Sequence, residues 1–133
     1  ETGATSTGDD LDWAEAILSA VGTVDRLPES LIDAFTGVAG SGPAYVFLIA
    51  ESLIDAFVAE GVDAAVAERV VTQLLVGSAA LLEREGDPAT LRRNVTSPGG
   101  TTAAGLAALD EHDVRGAFRA AVAAATRRGR ELG

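Results

Sequence analysis

A chain of 133 residues has the length of a single domain, and we expect one compact unit. It contains no cysteine and one histidine, which excludes disulfide frameworks, thiolate metal sites and histidine clusters, so no metal site is expected and His112 is assigned no role. A formal net charge of −10 argues against nucleic acid and anionic membranes as partners, because proteins that bind either carry basic surfaces.

The composition favours closely packed helices. Hydrophobic residues make up 47% of the chain, aromatic residues only 5%, and alanine is frequent, so small aliphatic side chains must build the core. We therefore predict an all-α fold. No segment is expected to approach the ~20 apolar residues that cross a bilayer, and no targeting signal follows the non-methionine start, so we expect a cytoplasmic protein that was cut from something longer.

The first predicted elements are a helix and a short extended piece. Acidic residues after Thr7 and an apolar stripe that includes Trp13 predict a capped amphipathic helix that stops at Gly22. Residues 23–27 are then predicted to be extended. Because Trp13 lies on the apolar stripe, we interpret it as a packing residue rather than a ligand platform.

A second helical stretch is predicted to begin with proline in its first turn. Residues 28–35 form a short helix that runs out in the glycine-rich segment 37–42. Pro43 then starts a longer helix, which continues to Glu60 and is closed by Gly61.

Asp63 caps the next helix, which continues to Gly86. In both long helices the apolar side chains cover most of the circumference: Val46, Phe47, Leu48, Ile49, Leu53, Ile54, Phe57 and Val58 in the first, and Val66, Val70, Val71, Leu74, Leu75, Val76, Leu81 and Leu82 in the second. A small domain cannot bury so much surface alone, and we expect a homodimer, or a higher oligomer, with these helices at its centre.

The C-terminal third alternates helices with breaks. Asp87 and Pro88 start a short helix through Arg93, a further helix begins near Thr102, and residues 111–113 break the pattern before a last helix over about 114–131. Arginines crowd the final turns of that helix, where cations complement exposed carbonyls.

Residues 94–103 have the composition of an anion pocket. The segment places hydroxyls, a proline and two adjacent glycines, Gly99 and Gly100, directly before a helix. Glycines let backbone N–H groups approach a ligand closely, and a helix N-terminus attracts negative charge. A small carboxylate or phosphate would fit; the alternative is a polar loop that only caps the helix.

Two segments and their spacing go beyond generic helix chemistry. The first is Phe35-Thr36-Gly37-Val38-Ala39-Gly40-Ser41-Gly42-Pro43-Ala44-Tyr45. The second is Leu91-Arg92-Arg93-Asn94-Val95-Thr96-Ser97-Pro98-Gly99-Gly100-Thr101-Thr102, followed by Leu106, Leu109 and Asp110. Together they resemble the pyrroline-5-carboxylate reductase family, over about residues 9–132.

The resemblance implies a fold and an activity. In this family a Rossmann domain binds NADPH or NADH, and a C-terminal helical domain interlocks with a second copy. Residues 1–27 would be a remnant helix and strand of the first domain, and residues 28–133 the dimerisation and substrate-binding domain. The reaction is hydride transfer from the nicotinamide to the C=N carbon of 1-pyrroline-5-carboxylate, which gives L-proline, and placement of the substrate is its main demand.

Site residues also follow from the resemblance. The substrate carboxylate would be held by Ser97 and by backbone N–H groups over Gly99, Gly100, Thr101 and Thr102, and the Thr102 hydroxyl would face the ring nitrogen as donor or proton relay, the catalytic role. Glu85 falls at an acidic position of the family; its alternative interpretation is a solvated helix-end carboxylate. The turn 40–43 resembles a segment that faces the cofactor; the alternative is that its glycines serve only close helix packing.

One feature of the family is missing. The Gly-x-Gly-x-x-Gly turn that cradles a dinucleotide pyrophosphate does not occur in the chain, so we expect no tight NADPH or NADH binding to this chain alone. Two alternatives to a reductase half remain: a non-catalytic helical oligomerisation module, and another dehydrogenase with a helical dimer domain that acts on a different small acid.

Overall fold

Regular structure within residues 6–132, which the computed structural model describes, is helical, and no strand forms among them. The prediction of an all-α fold is confirmed. Residues 1–5 and 133, which belong to the two predicted domains, lie outside the described residues. The α-helices, in chain order, are α1 Gly8–Leu18, α2 Ile32–Phe35, α3 Gly42–Ala59, α4 Ala64–Glu85, α5 Pro88–Asn94, α6 Thr101–Glu111 and α7 Val114–Leu132.

Helix α1 begins with a capping box. The Thr7 N–H donates to Asp10 Oδ2 at 2.8 Å, and the Asp10 N–H donates to Thr7 Oγ1 at 3.4 Å. These bonds satisfy two backbone donors that a helix start otherwise leaves open. The helix ends at Leu18 and continues as turns, so its end lies earlier than the predicted stop at Gly22.

The predicted extended piece does not form a strand. Residues 23–28 are irregular, because a strand needs a neighbouring strand to accept and donate its backbone hydrogen bonds, and the described chain offers none. Arg26 instead joins this piece to α1, with hydrogen bonds to Asp12 and to Glu15, the latter from its Nε at 2.7 Å. The bonds to Asp12 and Glu15 raise the pKa of the Arg26 guanidinium.

The predicted break over residues 37–42 is mostly helical. A 3₁₀ turn over Glu29–Leu31 leads into α2, and a π-helical segment over Thr36–Gly40 follows α2 directly. Gly37 is buried, and a Cβ at this position would lie 2.9 Å from Thr126 Oγ1 and 3.3 Å from the Val122 carbonyl oxygen. The glycine at position 37 is therefore used for close approach to α7, a use that the sequence did not predict for this residue.

The boundaries of α3 and α4 agree with the sequence. Pro43 lies in the first turn of α3. The Asp63 carboxylate caps α4 by accepting the N–H groups of Ala65 at 3.1 Å and Val66 at 3.2 Å. Gly86, with φ of 67°, follows α4 in a backbone conformation that glycine adopts at no steric cost.

The chain divides into two compact units rather than the single unit expected from its length. One comprises residues 6–40 and 122–132, and the other comprises residues 41–121. The first unit contains α1, α2, the π-helical segment and the C-terminal half of α7. The second contains α3 to α6 and the N-terminal half of α7, with α3 packed against α4.

Few side chains are buried within the described residues. The buried hydrophobic side chains are Ala67 and Val71, both on α4. Phe47 is 65% exposed and Leu48 61% exposed, although both are large and apolar. The predicted packing residue Trp13 is also exposed, at 69%. The chain thus presents the apolar surface that the sequence predicted, without covering it.

Length and composition do not exclude membrane insertion, contrary to expectation. The continuous helical stretch Glu29–Ala59 and helix Ala64–Glu85 are both long and apolar enough to cross a bilayer. The first stretch reaches this length because the glycine-rich segment within it is helical. Core helices of soluble proteins meet the same two criteria.

The close approach at Gly37 predicts a steric effect. In Gly37→Ala the added methyl group would press on Thr126, and overpacking of this kind costs about 1–3 kcal/mol of unfolding free energy. Urea unfolding followed by circular dichroism measures the difference. Gly22→Ala is the matched control, because a Cβ at Gly22 meets nothing within 4 Å; equal stability of the two variants would contradict the contact.

Candidate functional site

The candidate site begins with the cap of α5. The Asp87 Oδ1 atom accepts the N–H groups of Ala89 and Thr90, each at 3.1 Å, and Oδ2 accepts the Thr90 hydroxyl. Asp87 has φ of 29°, a conformation that aspartate tolerates better than most residues. The Thr90 hydroxyl, followed by the backbone donors, lowers the pKa of Asp87 below its usual 3.8. This cap fixes where α5 starts.

The segment after α5 is a tight turn. The Gly100 N–H donates to the Ser97 carbonyl oxygen at 3.1 Å, which closes a β-turn with Pro98 and Gly99 at its centre. Gly99 has φ of 70°. Proline at the second position and a positive φ at the third are the requirements of a type II turn, and glycine meets the second of them without strain.

The N-terminus of α6 has no side-chain cap. Gly100 is the capping residue, with extended backbone at φ −80° and ψ 173°, and no side chain accepts from the first turn. The first intrahelical bond runs from the Ala104 N–H to the Gly100 carbonyl oxygen at 3.2 Å. The N–H groups of Thr101, Thr102 and Ala103 therefore lack helix acceptors. A loop that only caps the helix would supply a side-chain acceptor for these N–H groups, and this loop supplies none.

The hydroxyls around this helix start are also open. Ser97, Thr101 and Thr102 are exposed, and their hydroxyls make no hydrogen bond to any residue between 6 and 132. The neighbouring Thr96 differs, because its hydroxyl donates to the Arg92 carbonyl oxygen at 2.6 Å. Three free hydroxyls beside three free amides form a set of donors suited to a carboxylate.

Glu85 lies at the last residue of α4, outside this turn. Its Oε1 atom is 2.9 Å from Arg84 Nε, and both side chains are at least half exposed. Such a pair is the arrangement expected of a solvated helix-end carboxylate, the alternative interpretation of Glu85. The role of Glu85 in substrate binding stays a prediction.

A cavity of about 280 Å³ lies in the same unit of the chain, between the end of α5 and α6. Its walls are Arg92, Arg93, Thr96, Leu106, Asp110 and Arg115. The predicted site residues are not among them. No function is predicted for these arginines from the sequence, although the adjacent pair Arg92-Arg93 is unusual in a chain with twice as many acidic as basic residues.

His112 lies at the end of a helix and not in a metal site of the described residues. His112 is exposed and follows α6, where its N–H donates to the Ala108 carbonyl oxygen at 3.2 Å. Over residues 6–132 no group of three or more histidine, aspartate or glutamate side chains is placed to hold a metal ion. His112 is thus the C-terminal capping residue of α6.

A family model described as pyrroline-5-carboxylate reductase dimerisation matches residues 29–132 of the chain. Pyrroline-5-carboxylate reductase of Synechocystis sp. is 51% identical over 126 residues, which are 94% of this chain and 47% of the relative. That of Thermus thermophilus is 48% identical over 125 residues, 94% of this chain and 48% of the relative. The chain thus spans about half the length of the curated relatives it matches.

Solved structures agree with the sequence comparison. A pyrroline-5-carboxylate reductase from Coxiella burnetii matches with a TM-score of 0.91 and 37% identity, over 98% of this chain and 49% of that one. Pyrroline carboxylate reductase of Plasmodium falciparum, solved with NADP bound, matches with a TM-score of 0.88 and 32% identity, over 98% of this chain and 53% of that one. The predicted family is confirmed by both kinds of comparison.

The cap of α5 predicts a pH dependence. Because the folded-state pKa of Asp87 is lowered, its contribution to stability is fully present above pH 3.8 and is lost as the pH falls through the lowered value. In Asp87→Asn this ionisation is absent. Thermal unfolding midpoints of both proteins between pH 2 and pH 7 should differ at neutral pH and converge in acid; a constant difference would contradict the charged cap.

Proposed function

The chain belongs to the pyrroline-5-carboxylate reductase family, and on that premise we propose that it is the substrate-binding and dimerisation half of an enzyme that reduces 1-pyrroline-5-carboxylate to L-proline with NADPH or NADH. The observation that supports this most strongly is the open start of α6. It presents free amides and free hydroxyls from residues of the family motif. These donors would bind the carboxylate that the substrate carries.

The proposed carboxylate site uses backbone and side-chain donors together. The type II turn places Ser97 before the start of α6, and the amides of Thr101 and Thr102 are in the first turn of that helix. A carboxylate there would accept these amides and the Ser97 hydroxyl, and the partial positive charge of the helix N-terminus would add to the attraction. Gly99 and Gly100 have no Cβ to hinder its approach.

The proposed catalytic residue is Thr102. Reduction adds a hydride to the C=N carbon and a proton to the ring nitrogen, so the nitrogen needs a hydrogen-bonding partner while it gains its proton. The Thr102 hydroxyl has no partner among the described residues, and it belongs to a residue whose amide is one of the proposed carboxylate donors. It would donate to the ring nitrogen or relay a proton to it. Glu85 is included in the substrate site on the resemblance alone.

The residues of this chain do not fit the dinucleotide. A pyrophosphate cradle needs a strand, a Gly-x-Gly-x-x-Gly turn and a helix. Here Gly40 is the last residue of the π-helical segment, Gly42 is the first residue of α3, and Tyr45 occupies the position of the third glycine. NADPH or NADH would bind to the other half of a reductase. The contribution of this chain is to hold the substrate, orient it and supply a hydrogen bond at the ring nitrogen.

A second copy of this chain is the partner that we propose for α3 and α4. Their apolar side chains are exposed in one copy, and a symmetric dimer would cover the same surface on both copies. Insertion into a membrane would cover it too. Glu51 and Asp55, however, lie one turn apart on α3, and carboxylates are costly in lipid. We therefore propose a homodimer, in the cytoplasm.

The carboxylate site predicts weaker ligand binding in two variants. Ser97→Ala removes a donor to the carboxylate of L-proline, and Thr102→Ala removes the hydroxyl that would accept from its protonated ring nitrogen. Each change should weaken binding of L-proline about tenfold, because a hydrogen bond to a charged group contributes about 1.5–3 kcal/mol. Isothermal titration calorimetry measures the change.

Thr96→Ala is the control for these variants, since its hydroxyl is already bonded within the chain. Unchanged affinity in both site variants would contradict the assignment. Failure of the unmodified chain to bind millimolar L-proline would favour the alternative function, a non-catalytic oligomerisation module.

If α3 lies in the dimer interface, a charged side chain introduced on α3 should weaken dimer formation. Leu48→Asp or Phe47→Asp would place a carboxylate in the apolar contact, and losing about 3 kcal/mol of apolar burial weakens association about 100-fold. Light scattering should give twice 13.5 kDa for the unmodified chain and a lower mass for the variants. Val21→Asp is the control, because Val21 is 86% exposed outside α3 and α4; dimers in all three variants would contradict the proposal.

A further inference from the structure

The cavity between α5 and α6 is electropositive, in contrast to the chain as a whole. Its lining residues include three arginines, Arg92, Arg93 and Arg115, and one aspartate, Asp110. The chain carries 20 acidic and 10 basic side chains. A local excess of two positive charges around one concave space is therefore a feature of this cavity and not of the composition.

These guanidinium groups are poorly satisfied within the chain. The Arg92 guanidinium has no ion pair or hydrogen bond to the described residues, and Arg93 donates to the neutral Thr90 hydroxyl. Arg115 Nε is 3.6 Å from Asp110 Oδ1, which is longer than a hydrogen bond. Elsewhere Arg26, by comparison, is bonded to two carboxylates.

Helix termination explains only part of this arrangement. Arg92 and Arg93 lie in the last turn of α5, where cations are favoured by the exposed carbonyls. That preference does not require a third arginine from another element. Arg115 comes from the first turn of α7, where the helix dipole disfavours a cation, and it faces the same cavity.

We propose that this cavity binds a small phosphate-type dianion, either free phosphate or the phosphoryl group of a small phosphomonoester. Guanidinium groups bind phosphate oxygens through paired hydrogen bonds, and two negative charges match the local excess. A volume of about 280 Å³ admits a phosphate or a small ester and is too small for a dinucleotide.

The proposed anion site is separate from the proposed substrate site. Ser97, Thr101 and Thr102 do not line the cavity, although the cavity residue Thr96 directly precedes Ser97. The two sites use different donors, namely guanidinium groups in the cavity and amides with hydroxyls at the start of α6. Each proposal can therefore fail without the other.

The test is a titration of the full chain with inorganic phosphate and with glycerol phosphate, at constant ionic strength set with sodium chloride. Arg92→Gln and Arg115→Gln should each weaken binding about tenfold, because each removes a charge-assisted hydrogen bond. Asp110→Asn should tighten binding, since it removes the carboxylate that competes for Arg115. Tighter binding of glycerol phosphate than of phosphate identifies an ester as the ligand, and equal binding identifies free phosphate.

Two controls make the result specific. Arg127→Gln makes the same change of charge at an exposed arginine outside the cavity and should bind as the unmodified chain does. Ser97→Ala tests the substrate turn. Loss of phosphate binding in Ser97→Ala with no loss in Arg92→Gln would place the anion at α6 and overturn the proposal. No phosphate binding by the unmodified chain, with helicity intact by circular dichroism, would overturn it as well.

Discussion

The rest of the structure depends on one constraint: the chain carries a large apolar surface and buries little of it in one copy. Two long helices, α3 and α4, carry apolar side chains around most of their circumference, yet Ala67 and Val71 are the hydrophobic side chains buried in the described part of one copy. Exposed apolar surface on this scale is unfavourable in water. A second copy on α3 and α4 would supply the missing core, so that folding and association would be one equilibrium whose midpoint depends on concentration.

Two glycine-rich segments have similar compositions and different uses. The first, 36–42, is largely helical, and its Gly37 allows the backbone to approach α7 more closely than any side chain would permit. The second contains a type II turn at Gly99 and leaves the start of α6 without a side-chain cap. Close packing stabilises the scaffold, whereas the turn leaves donors open. Because stability rarely requires open donors, we assign the binding role to the second segment.

Several acidic side chains lie at the starts of helices, where they act as caps. Asp10, Asp63 and Asp87 cap the starts of α1, α4 and α5 through their carboxylates. Such positions satisfy backbone donors and also place negative charge at positive helix ends. Among residues 6–132 the arginines of the cavity make no hydrogen bond to a carboxylate, and Arg115 Nε lies 3.6 Å from Asp110 Oδ1. The anion site that we propose there would lie in an acidic protein, whose long-range field would slow the approach of anions without cancelling contacts made at close range.

The sequence by itself determined the helical class, the ends of α3 to α7 and the surplus of apolar surface, because caps, glycines and periodicity act locally. It also identified the family, through two motifs and their spacing. It did not determine the π-helical continuation through 36–40, the exposure of Trp13, the failure of residues 23–27 to pair, or the cavity. These depend on which groups meet across the fold: Gly37 against Thr126, and Arg115 and Arg92 around one cavity. Contacts between distant segments are decided by packing and by available partners, which no local pattern encodes.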